Sequence, residues 1–158
     1  MTIDFDIPVS RAGTASLKYG ARTTYYGTND VVPLWVADMD FSAPEAVTQA
    51  LVKRATHTIY GYTDYPESLY TSMQNWFASR HDWAIDRNSI ILCPGVVPSL
   101  YAAITALTAL GDQVIVQPPV YHPFFSAVTD TGRSLVENPL VLENGRYRMD
   151  LAHLASCA

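Results

Sequence analysis

Three short runs rich in β-branched residues alternate with stretches of helical character in the middle of this chain. They are Ser89-Ile90-Ile91-Leu92, Gln113-Val114-Ile115-Val116-Gln117 and Ser134-Leu135-Val136-Glu137. Parallel strands need a crossover between them, usually a helix, so this alternation predicts an α/β fold with a parallel sheet. Leu100 to Leu110 carries no helix breaker, and Phe124 to about Thr131 suits a second helix. Gly111-Asp112 supplies the turn into the second strand. Val141 to Tyr147 resembles a hairpin with Asn144-Gly145 at its tip. Pro118-Pro119-Val120-Tyr121-His122-Pro123 cannot be regular structure, because proline removes donors and restricts its predecessor.

Upstream, residues 1–30 are polar and irregular and read as an arm. Val31 to Val36 is a short extended run that ends in the acidic turn Ala37-Asp38-Met39-Asp40-Phe41. Ser42 is placed to cap a helix, with Glu45 in a capping-box position and Pro44 in the first turn. That helix would run to about His57 with Val47, Ala50, Leu51 and Ala55 on one face. A second helix is expected from about Glu67 to Arg80-His81, with Leu69, Met73, Trp76 and Phe77 facing the core. Asp150 opens a last helix. The division expected is an arm and substrate-side segment over 1–44, then an incomplete large domain over 45–158. Three strands and so few helices cannot cover both faces of a sheet, so the chain reads as the front part of a larger domain.

The 158 residues are 49% apolar and 16% charged, which is a core-forming composition. A net charge of −5 argues against a nucleic-acid surface. No apolar run approaches membrane-spanning length, and the first residues lack the features of a secretory signal. Cys93 and Cys157 form no C-x-x-C pair, and the four histidines have no metal-ligand spacing. A soluble, cytoplasmic protein is the expectation, with no metal, membrane or nucleic-acid partner.

The turn Pro94-Gly95-Val96-Val97-Pro98 lies between the first strand and the helix that follows. Glycine allows close backbone approach, and the unpaired amides of a helix start carry partial positive charge that suits a phosphate. An ordinary βα turn would look the same. Tyr121, among prolines, could offer a flat stacking face or simply pack in its loop. Tyr60, Tyr62 and Tyr65 could likewise be surface aromatics.

Taken in order, Leu34-Trp35-Val36-Ala37-Asp38-Met39-Asp40-Phe41, Gly61-Tyr62-Thr63, Pro94 to Pro98 and Pro118 to Phe125 resemble one family. It is the cystathionine β-lyase branch of the fold-type-I, pyridoxal-phosphate-dependent aminotransferase superfamily. Asn138-Pro139-Leu140 and Glu143 to Tyr147 are similar to it as well. The resemblance runs from about Phe5 to Leu154, on a chain less than half the length of a typical member. It implies a partial aspartate-aminotransferase-like fold, with the arm followed by the first part of the large-domain sheet and its flanking helices. It further implies that Gly95, Val96 and Val97 hold the pyridoxal 5′-phosphate phosphate and that Tyr121 stacks on the ring. Tyr62 would reach the phosphate of a partner subunit in a homodimer, and Ala37 would bring its amide to the substrate carboxylate.

The family's Schiff-base lysine has no counterpart here. Lys18 stands in the arm and Lys53 on the outer side of the first helix, and neither is in the family's lysine motif. Arg146 and Arg148 are in the wrong segment for the substrate arginine. The implied role is the N-terminal part of a carbon–sulfur β-lyase acting on cystathionine or another S-substituted cysteine, with no turnover by this chain alone. A fragment of a class I/II aminotransferase, or a non-catalytic product, remain the alternatives.

Overall fold

A computed structural model describes residues 4–158; residues 1–3, where the leader reading began, lie outside the described residues. By its internal contacts the chain divides into residues 1–64 and 65–158.

Among its described residues the first unit holds three helices. α1 (Leu17–Gly20) and α2 (Arg22–Tyr26) form where only irregular chain was expected. Ser16 caps α1 by accepting from Tyr19 N–H, and Gly27 closes α2 at φ 73°, a left-handed position that favours glycine. α3 (Glu45–Ala55) starts one residue after Pro44, which is itself the N-cap with no side-chain cap bond. The expected Ser42–Glu45 capping box is therefore not made. The expected apolar face of α3 is exposed, Leu51 included, because no described residue of its own unit lies over it.

In the second unit, α4 spans Glu67–His81, as its periodicity predicts. Met73 and Phe77 are half-buried. Trp76 is exposed instead of in the core, and the guanidinium of Arg80 lies 5.2 Å from its ring centroid. A 3₁₀ turn at Arg87–Ser89 is capped by Asp86. The run Ser89–Leu92 is extended at Ile90 but is not a strand, since no neighbour among the described residues pairs with it; Ile91 is 84% exposed.

α5 (Val96–Leu107) is followed by β1 (Gln113–Val116), α6 (Pro123–Thr129) and β2 (Ser134–Glu137). β1 and β2 pair in parallel, with Val114 opposite Leu135 and Ile115 opposite Val136, so the sheet is parallel but two-stranded. α6 packs on both strands and on α5, and carries the buried Ala127 and Val128; Val116 of β1 is buried too. Arg133 ties the far end together by donating to the Thr108 hydroxyl and carbonyl. β3 (Val141–Glu143) and β4 (Arg146–Arg148) form the predicted hairpin, with Asn144 and Gly145 both at positive φ. α7 (Leu151–Cys157) is capped by Asp150, whose carboxylate accepts from His153 N–H. No helix among the described residues is long and apolar enough to cross a membrane.

Candidate functional site

α5 begins with an open polar end. Gly95 is its N-cap, and the Gly95 carbonyl accepts from both the amide (3.1 Å) and the hydroxyl (2.7 Å) of Ser99. Pro98 has no N–H, and the amides of Gly95, Val96 and Val97 meet no acceptor among the described residues. No acidic residue occupies the first turn, so nothing nearby neutralises the positive end of this 12-residue helix. Val96 is exposed and Val97 half-buried. These donors fit an anionic oxygen cluster such as a phosphate. The backbone itself does not demand glycine at position 95: φ is 161°, which is extended, and an added Cβ would meet only Pro98 Cδ at 3.6 Å.

Tyr121 lies in the loop between β1 and α6, in the same unit. Pro118-Pro119 joined by a cis bond precedes it, and Pro123 opens α6 after it. The Tyr121 carbonyl accepts from Phe124 N–H, and its ring meets His122 edge-on at 5.0 Å. No other ring packs on Tyr121 among the described residues, and the residue is exposed.

In the first unit, Tyr62 is fully exposed with no partner among the described residues. Tyr60, two residues earlier, instead closes the end of α3: its hydroxyl donates to Ala55 carbonyl at 2.8 Å, and Arg54 lies over its ring. Ala37 is exposed, and its amide donates to no acceptor among the described residues. Just before it, Val36 is held at φ 62°. A β-branched residue in the left-handed region costs of order 1–3 kcal/mol, so the surroundings must hold it there.

Those surroundings were not legible in the sequence. Lys18, which stands in the arm, is 7% exposed. Its ammonium donates to Asp40 Oδ2 (3.1 Å) and to the Asp38 carbonyl (3.0 Å). Arg11 donates to Asp38 Oδ2 at 2.6 Å and to the Met39 carbonyl at 3.3 Å. Tyr19 donates its hydroxyl to Asp40 Oδ1. The Arg11 hydrogen bond holds the Asp38 carboxyl below its usual range, and the Lys18 hydrogen bond does the same for Asp40. Asp38 Oδ1 is buried without a partner. The available signal was charge complementarity: a chain with two lysines places one beside Tyr19 in the arm, and Asp38 and Asp40 follow some twenty residues later.

Lys53 sits in the last turn of α3 and is exposed. Arg148 pairs with Glu143 across the hairpin at 3.3 Å. His153, Asn138 and Cys157 form a small polar group: Asn138 Nδ2 lies 2.9 Å from His153 Nδ1, which is 3.6 Å from Cys157 Sγ. Both cysteines are free.

Comparison with known proteins gives this geometry its context. The chain is 43% identical to cystathionine β-lyase PatB of Bacillus subtilis over 152 residues, which are 96% of this chain and 39% of that protein. Cystalysin from Treponema denticola, whose crystal structure contains a pyridoxal 5′-phosphate cofactor, superposes with a TM-score of 0.90 at 36% identity. The match covers 99% of this chain and 40% of cystalysin. The pyridoxal-phosphate-bound C–S lyase of Staphylococcus hominis gives a TM-score of 0.88 at 25% identity, covering 99% of this chain and 40% of its own. The chain therefore spans about 40% of the length of these relatives. Its α/β units match the corresponding part of pyridoxal-phosphate-dependent folds, and residues 29–156 match the family Aminotransferase class I and II. The chain belongs to that family.

Proposed function

We propose that this chain provides the phosphate cup and the ring-stacking surface of a pyridoxal-phosphate-dependent carbon–sulfur β-lyase. The whole protein would cleave cystathionine or another S-substituted cysteine to a thiol, pyruvate and ammonia. The observation that carries this reading is the trio of acceptor-free amides at Gly95, Val96 and Val97, at the start of a helix with no acidic first turn. Similarity to proteins named as cystathionine β-lyase, cystalysin and C–S lyase supports the same choice of chemistry.

When bound, pyridoxal phosphate supplies an electron sink for charge developing at the substrate's α-carbon. The chain's own residues bind and orient. Gly95, Val96 and Val97 hold the phosphate through backbone donors. Tyr121 lays its ring on the heterocycle and fixes its plane. Ala37 N–H receives the substrate carboxylate, and Tyr62 donates its hydroxyl to the phosphate of a second copy in a homodimer. Proton transfer needs an amine that this chain does not offer: Lys18 is tied to Asp40, and Lys53 stands on α3. The two free cysteines agree with a reducing, cytoplasmic setting. Transamination is the second reading, favoured by the breadth of the matching family.

The cup is tested by amide NMR of the 158-residue chain with pyridoxine 5′-phosphate, which lacks the aldehyde that would label other amines. Shifts are expected at Gly95, Val96 and Val97, with none from unphosphorylated pyridoxine. Val96→Pro removes one donor at the first helical position, where proline fits. It should weaken binding about tenfold, the worth of a hydrogen bond to a charged group. Equal response to both compounds would overturn the reading.

A further inference from the structure

The acidic turn 35–40 is gripped on both sides by one residue of the arm. The Lys18 carbonyl accepts from Trp35 Nε1 at 3.3 Å, just before Val36. The Lys18 ammonium holds the Asp38 carbonyl and the Asp40 carboxylate, just after Ala37. Between these two grips lie the strained Val36 and the unbonded amide of Ala37. Further contacts stiffen each side. Tyr25 and Tyr26 meet the Trp35 ring edge-on at 5.0 and 6.0 Å. Arg11 adds its bonds to Asp38 and Met39, and Tyr19 adds its own to Asp40.

A strained φ persists only where the surroundings over-determine it, and here the over-determining groups come from residues 11–26, with Lys18 of α1 alone holding both sides. We propose that Lys18 is a positioning residue, with Arg11 and Tyr19 as its supports. It closes residues 35–40 into a loop, keeps Val36 left-handed and thereby leaves the Ala37 N–H free for a ligand acceptor. That the acceptor is an amino-acid carboxylate rests on the function proposed above. The clamp itself does not. A free lysine in the arm would have no reason to be buried, and an unstrained turn would need no second grip.

The test reads the Val36 conformation directly. Positive φ brings the amide and α protons of one residue close, so the Val36 intraresidue NOE in the labelled 158-residue chain is expected to be strong. In Lys18→Met, which keeps the apolar stem and drops the ammonium, Val36 should relax to an extended conformation and that NOE should fall about fivefold. Asp40→Asn alters the more exposed partner and is less apt to unfold the chain; a fall of about twofold or more is expected. The α5 amide shifts serve as the control and should not move. Full NOE intensity in folded Asp40→Asn would overturn the clamp, as would full intensity in folded Lys18→Met. No ligand is present in this experiment, so its failure leaves the phosphate cup standing. Failure of the pyridoxine phosphate test would leave the clamp standing without its assigned acceptor.

Discussion

Asn138 has no exposed surface, and every polar atom of its side chain is used. Its carbonyl oxygen accepts from Gln117 Nε2 at 2.7 Å, and its amide nitrogen reaches the Asp150 carbonyl and His153 Nδ1. Asn138→Ala would remove three hydrogen bonds made by a fully buried side chain to half-buried Gln117 and Asp150 and to exposed His153, each worth about 0.5–1.5 kcal/mol. Urea denaturation should show a loss of about 2–4 kcal/mol, well above the average point substitution. Gly132 is a second sensitive position, with φ 73° and an added Cβ only 3.0 Å from Leu110 Cδ2. Gly132→Ala should cost about 1–2 kcal/mol by the same measurement, mostly from the left-handed backbone. Neither role is legible from residue type. Asn138 reads as part of a motif, and the neighbours of both residues lie up to 22 residues away, as with Gly132 and Leu110. Lys18 makes the same point more sharply, because burial of a lysine depends wholly on acceptors from a distant segment.

Among the elements, those governed by local rules were readable. The Asn144-Gly145 tip, the Asp150 cap and the span of α4 follow from turn chemistry, capping and periodicity. Elements that require a distant neighbour were not. Ser89–Leu92 has strand composition but lacks a pairing partner, and the apolar face of α3 has no covering layer within its unit. The phosphate-cup reading of α5 came from the strand–turn–helix pattern, from Gly95 and Pro98 and from the family resemblance; the end is open because the amides of Gly95, Val96 and Val97 meet no acceptor among the described residues, not because of an unusual glycine backbone. The loop from Trp35 to Asp40 carries its own pH signature. Arg11 and Lys18 face Asp38 and Asp40, with the Tyr19 hydroxyl beside them. Both carboxyls are lowered from 3.8, so their contribution to stability is complete above that value. It is lost as the pH falls through the lower folded-state values. Acid titration followed by the Trp35 indole N–H signal in NMR should show this loss, and Asp40→Asn should flatten it.

For the whole molecule, large apolar side chains remain at the surface of each unit, among them Leu34 at 92% and Leu107 at 83% exposure. Such surface favours association, and the two-stranded parallel sheet leaves backbone groups open to pairing. Size-exclusion chromatography of the isolated 158 residues should reveal self-association that grows with concentration; a monomer at all concentrations would contradict it. With Lys18 tied down and no lysine in the second unit, the chain should release no pyruvate from cystathionine when pyridoxal phosphate is added. The fully enclosed Asn138 carboxamide also sets a rule for anyone trimming this polypeptide. A cut between Leu140 and Asp150 removes the acceptors supplied by Asp150 and His153, and strands a fully buried polar group just after β2. The minimal piece that keeps this half intact must therefore extend through the hairpin and the opening turn of α7, however dispensable that tail looks from its exposure.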